Sequence, residues 1–233
     1  MRFQDAARDA RAVVYSGIQA DPVVATIGAL LAEASTGQRL LARAVMNGET
    51  VDPAAWRTMF PTLFGPGVDP AEVTRSEAIL QAGLDVAGRG EQVRSQYRGA
   101  IVEALSAHLL GRRVPPATVH SERRILFDGV RSEIHPYDVT VELPERAEAY
   151  DCKWGARGIN DEVLLQLDSA RTNAEAEERR LLVALVVFDA RRSCRIRLAR
   201  LRPLPGVRLV ALEGLDALGR ARVPPPAAPA PAP

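Results

Sequence analysis

The chain has 233 residues, 47% of them apolar, enough for one large or two small buried cores, so it is expected to fold. Its formal net charge of +1 and pI near 7.9 exclude a global field drawing it to nucleic acid or anionic lipid, so any polyanion contact must come from a local arginine patch. Two cysteines and three histidines are too few for a disulfide framework and argue against a structural zinc site.

Met1 to Asp5 lack the basic-then-apolar order of a signal peptide, and the apolar run Pro22 to Ala32 stops at Glu33, short of the ~20 residues that span a bilayer. The expected location is a reducing cytoplasm, without a membrane partner. Residues 5–90 read as helices. Val13, Val14, Ile18, then Val23, Val24, Ile27, Leu30 and Leu31 recur at helical spacing, and Asp21-Pro22 gives an N-cap followed by a first-turn proline. Asp52-Pro53 and Asp69-Pro70 repeat that signal, predicting helices near 53–60 and 70–87 separated by Pro61 and the Gly65-Pro66-Gly67 turn. The region shows no catalytic constellation; it packs, or it serves substrate recognition or a homodimer or protein-partner contact.

Gly88-Arg89-Gly90 marks a boundary between a helical domain, 1–90, and a second domain, 91–220. Val93, Tyr97, Ile101, Leu105 and His108 form one stripe of a helix ending at Gly111, with Glu103 on another side. Strands are expected at 119–128 and 136–143 around an Asp128-Gly129 turn. In the second, Tyr137, Val139, Val141 and Leu143 alternate with Asp138, Thr140 and Glu142. A turn at Pro144-Glu145-Arg146 leads to a central strand, 147–154, whose packed face carries Tyr150, Cys152 and Trp154. Asp151 and Lys153 then share the opposite face with Ala147 and Ala149, small residues that leave room for a ligand. Asn160 or Asp161 caps a helix of about 18 residues, and the aliphatic run Leu181 to Phe188 reads as a strand buried on both faces, parallel to the central one. Further strands are expected near 193–201, holding Cys194, and 207–212, then a short helix from Glu213 and a disordered Pro/Ala tail, 221–233.

Lys153 is the sole lysine in the chain, against 29 arginines. A compact ammonium suits a place beside a reacting oxygen where a broad guanidinium does not. Asp138 and Asp151 are brought to the same end of the sheet by a tight turn, and converging carboxylates call for a cation between them. The segments Gly99-x-x-x-Glu103, Tyr137-Asp138-Val139-Thr140-Val141 and Tyr150-Asp151-Cys152-Lys153 resemble the PD-(D/E)XK nuclease superfamily over about residues 95–190. The resemblance implies an α/β fold, a mixed sheet with an αβββαβ core, here preceded by the helical region. It implies magnesium, or manganese, held by Asp138, Asp151, the Cys152 carbonyl and Glu103. Lys153 would serve at the attacking water, and Gln166 resembles a glutamine that some members carry on the following helix. The function implied is phosphodiester hydrolysis of nucleic acid, DNA in particular, with restriction, repair and phage defence all compatible. Arginine doublets at 112–113, 123–124, 179–180 and 191–192, with Arg157, are candidates for substrate grip. Two other readings stay open: the same fold without catalysis as a nucleic-acid or protein-binding module, and a helical interaction protein with the α/β half as scaffold.

Overall fold

The computed structural model of the chain describes residues 1–6, 10–48, 50–131, 135–201 and 206–220. The Pro/Ala tail lies outside them. A short strand, β1 (Arg2–Asp5), opens the chain, followed by α1 (Ala10–Gln19), α2 (Pro22–Ala32), α3 (Thr36–Asn47), α4 (Pro53–Met59), α5 (Pro61–Phe64), α6 (Pro70–Ala87) and α7 (Glu91–Leu110). The Asp-Pro starts work as expected. Asp21, Asp52 and Asp69 each accept from a backbone N–H two residues on, at 2.8–2.9 Å, and the proline after each opens the helix.

The rest alternates strand and helix: β2 (Val119–Phe127), β3 (Val130–Arg131), β4 (Tyr137–Glu142), β5 (Ala147–Lys153), α8 (Asp161–Ala176), β6 (Leu181–Val187), α9 (Arg191–Leu198) and β7 (Arg208–Ala211), with a 3₁₀ segment at Leu212–Leu218. The sheet runs β1-β2-β4-β5-β6-β7, with β3 paired to β2. It is antiparallel from β1 to β5 and parallel from β5 to β7. This is the mixed α/β architecture with a helical N-terminal region read from the sequence, except that the N-terminal region also supplies the edge strand β1.

Helices cover both faces of the sheet. On one, Val139, Val141, Tyr150, Cys152, Ala184 and Val186 join a core with α2, α3, α6 and α7 that runs on to Leu215; on the other, Tyr137, Ala149, Val183 and Leu185 pack against Leu164, Leu167 and Ala170 of α8. The face expected to be open at Ala147 and Ala149 is therefore closed, since small residues there let α8 approach. α7 is also buried more widely than one stripe: Val93 is 42% exposed and His108 faces solvent, whereas Val102, Leu109 and Glu103 are buried. The segment expected as a strand near 193–201 is the helix α9. Period-two alternation would bury Ile196 with Cys194 and Leu198; instead Cys194 and Leu198 pack one helical turn apart and Ile196 is 50% exposed.

Among the described residues no single helix is long and apolar enough to cross a membrane. Val13–Gln19 and Pro22–Ala32 reach that length together, but bend by 52°, and Val24, Ile27 and Leu31 belong to the core.

Candidate active site

The site forms where β2 and β4 both change sides. Asp128 and Gly129 have φ of 48° and 79°, the left-handed pair of a tight hairpin, and set Leu126 opposite Arg131. Continued, that register would place His120 opposite Tyr137. It is Arg123 that stands there, a slip of three residues. Within the β2–β4 ladder the register is constant, yet side chains of like parity change face along both strands. Val119 packs on the α7 side but Ile125 and Phe127 on the α8 side, and in β4 Val139 and Val141 pack on the α7 side but Tyr137 on the other. The strict alternation expected from Tyr137 to Leu143 thus breaks at Asp138. Its cross-strand neighbour is Glu122, whose φ of 54° absorbs the change.

Three carboxylates gather there. One oxygen from each of Glu103, Glu122 and Asp138 lies within 4.8 Å of the other two. Glu103 reaches in from α7 with 7% of its surface exposed, its Oε1 accepting from Tyr15 Oη at 2.5 Å and its Oε2 from Gln19 Nε2 at 2.8 Å. Gln19 Nε2 also donates to Glu122 Oε1 at 3.1 Å. Asp138 Oδ2 accepts the Cys152 N–H at 2.5 Å, so the Cys152 peptide enters the site through its amide. At the end of β5 the Lys153 ammonium pairs with Asp151. Asp151 is 4% exposed, and its Oδ1 is the oxygen that meets the ammonium.

The charges are strained in a consistent sense. Burial first, then the fields of Asp151 and Glu103, push the Asp138 carboxyl well above the usual carboxylate range. Burial raises Glu103 to about 7, against the hydrogen bonds from Tyr15 and Gln19, and raises Glu122 as well. Burial would lower Lys153, but Asp138 and Asp151 outweigh it and hold the ammonium above the ordinary lysine value. Lys153 therefore stands among these carboxylates as a cation and a hydrogen-bond donor.

A hard divalent cation fits this set: oxygen donors only, within one ion's reach of one another, and an excess of carboxylates over the one ammonium. Glu103 and Asp138, both expected as ligands, are joined by Glu122, which sequence reading missed. Among the described residues Asp151 forms no such close triple; it pairs with Lys153. Gln166 stands behind the site, 7% exposed, its side chain exchanging two hydrogen bonds with the His135 backbone at 3.0 and 3.1 Å. It steadies the approach to β4.

Lys153 also lines a groove of about 800 Å³ between the helical region and the loop after β5, with Arg43, Arg98, Arg157 and Trp154 on its walls. Arg43 pairs with Asp189 and Arg98 with Glu91, whereas Arg157 is exposed and meets no described partner. The indole N–H of Trp154 donates to Asn47 at 2.8 Å and its ring lies 5.0 Å from that of Phe188, which fixes this wall. A second cavity, about 440 Å³, sits at the other end of β5 beside Ala147 and Leu181, away from Lys153.

No family model matches the chain, and no curated protein does. Among solved structures it is similar to protein VC1899 from Vibrio cholerae, with a TM-score of 0.47 and 16% identity over 94% of this chain. The chain spans 56% of that protein's length.

Proposed function

We propose that the chain is a metal-dependent phosphodiester hydrolase of the PD-(D/E)XK kind, acting on nucleic acid, DNA in particular. The observation that carries this reading is the meeting of the Glu103, Glu122 and Asp138 carboxylates with the chain's one lysine, beside a groove with arginines on its walls. Glu103, Glu122 and Asp138 would hold magnesium or manganese. Such an ion, when bound, makes water a competent nucleophile near neutral pH and polarises a phosphoryl oxygen.

The remaining steps belong to the chain. Asp151, itself buried, fixes the half-buried Lys153 ammonium through an ion pair, so the donor is set before substrate arrives. Its protons face an oxygen that gains charge as the phosphodiester is attacked. Arg157, unpaired and exposed on the groove wall, supplies an electrostatic contact to a neighbouring phosphate. The two cysteines are buried free thiols, which supports a reducing compartment such as the cytoplasm.

The test is incubation of the parent, Asp138→Ala and Lys153→Ala with plasmid, circular single-stranded DNA and RNA in magnesium, manganese or EDTA. The parent is expected to cleave only with metal, and both variants to lose at least 100-fold in rate, about 2.7 kcal/mol of transition-state stabilisation. Binding without cleavage in either metal would move the protein to the non-catalytic reading.

A further inference from the structure

The N-terminal helix α1 touches the carboxylates, although nothing in its sequence announces chemistry. Tyr15 and Gln19 sit one helical turn apart and so share a face. That face meets Glu103 and Glu122. The Gln19 amide nitrogen has two protons, and the geometry spends one on Glu103 Oε2 at 2.8 Å and one on Glu122 Oε1 at 3.1 Å. One donor thus spans two like charges and sets their spacing. Tyr15 donates to the other Glu103 oxygen at 2.5 Å.

An ionised carboxylate has about four lone-pair sites, so the two bonds to Glu103 and the one to Glu122 leave acceptor capacity on both for an ion. Room for the tyrosine is made on α7 itself. A Cβ at Gly99, one turn before Glu103, would stand 3.0 Å from Tyr15 Oη, so any side chain there meets the hydroxyl. Gly99 and Glu103 are the pair the sequence motif singled out, and their spacing gains a steric reason.

Resting on the metal-dependent reading above, we infer that Tyr15 and Gln19 are positioning residues that hold Glu103 and Glu122 in the ion-binding arrangement, so that the helical region completes the active site. Hydrogen bonds behind metal ligands of this kind are worth about 10–100-fold in affinity.

The experiment is manganese titration of the full chain without substrate, by calorimetry, for the parent, Tyr15→Phe, Gln19→Met, Gly99→Ala and Asp138→Ala. Tyr15→Phe and Gln19→Met are expected to weaken manganese binding about 10–100-fold. In cleavage assays they should raise the magnesium needed for half-maximal rate while kcat at saturating metal stays near the parent's. Gly99→Ala should weaken binding in the same sense, with an unfolding midpoint in EDTA no lower than the parent's, because alanine favours the helix. That separates a disturbed site from a disturbed fold. Parental manganese affinity in Tyr15→Phe and Gly99→Ala overturns the inference. A parent that binds no more manganese than Asp138→Ala overturns the active-site reading beneath it.

Discussion

Gly158 matters for what it lacks. A Cβ built at this position would lie 3.0 Å from Lys153 Cδ and 3.1 Å from its Cβ and Cγ, so the glycine is a flat surface on which the lysine stem lies. Its φ is not positive, so the requirement is space and not backbone freedom. Gly158→Ala should leave the fold and the carboxylates alone but push the stem off its rotamer, moving the ammonium by a fraction of an ångström to an ångström. Displacements of that size cost up to about 100-fold in rate. On the proposed activity, we expect kcat to fall about 10–100-fold with manganese affinity unchanged; a Gly158→Ala chain with the parental kcat shows that the lysine stem is not being held there. Glu103 gives a second test, through its proton. Its pKa of about 7 in the fold exceeds the ordinary 4.5, so between those values the folded chain keeps a proton that the unfolded chain releases. Rising pH then favours the unfolded state over that window. Glu103→Gln removes the effect and can keep both hydrogen bonds, because the Tyr15 hydroxyl can turn from donor to acceptor. In EDTA, the parent should lose on the order of 2–3 kcal/mol relative to Glu103→Gln as pH rises from 4.5 to 7, and magnesium should flatten the slope by holding the ionised carboxylate. Parallel stability curves for the two proteins in EDTA rule this out.

At the scale of elements, the parts of the site that were legible were those with a local signal. Asp-Pro caps, the aliphatic run Leu181 to Phe188 and the Asn160 cap each act within a few residues, so the helices they open and β6 stand close to where they were expected. Asp151 and Lys153 alternate within one strand and needed no partner to be placed. Glu122 was invisible for the opposite reason. It reaches Asp138 across the β2–β4 ladder, at the point where both strands change face. Nothing in Ser121-Glu122-Arg123 announces it, because a left-handed glutamate in a strand follows from the sheet and not from its own propensity. Tyr15 and Gln19 carry no local signal either, since valines set the apolar pattern of α1 and its polar face holds no motif. α9 shows the limit of short patterns. Cys-Arg-Ile-Arg-Leu alternates as a strand does, and only the packing of Cys194 and Leu198 against one face decides for a helix.

For the whole molecule, the decisive feature is that α7 belongs to both halves of the chain. The expected boundary at Gly88–Gly90 falls just before it, yet Val24, Ile27, Leu31, Leu41 and Val45 share one apolar core with Ile101, Leu105, Val139, Tyr150 and Leu215. α2 and α7 approach closely at Gly28, where a Cβ would stand 2.9 Å from Ala104 Cβ and 3.2 Å from the α7 backbone. A polar tie reinforces the apolar one. Arg39, 1% exposed, donates to Leu31 O at 3.0 Å, closing the end of α2, and pairs with Asp216 of the C-terminal 3₁₀ segment at 2.7 Å. A fragment of residues 91–220 would expose the α2-facing side of Ile101 and Leu105, each worth roughly 1.5–3 kcal/mol when buried. It would also free Glu103 from Tyr15 and Gln19. Against a whole-domain margin of about 5–15 kcal/mol, the loss of several such side chains together is enough to abolish folding. Residues 91–220 expressed alone should therefore be insoluble, or on refolding bind a hydrophobic dye and lack near-ultraviolet dichroism. A cooperative unfolding transition from that fragment would show that the sheet carries its own core and that the helices merely lean on it. The opposite result ties catalysis to the N-terminal region through folding as well as through the metal site, because the helices that complete the core are continuous with the one that reaches Glu103.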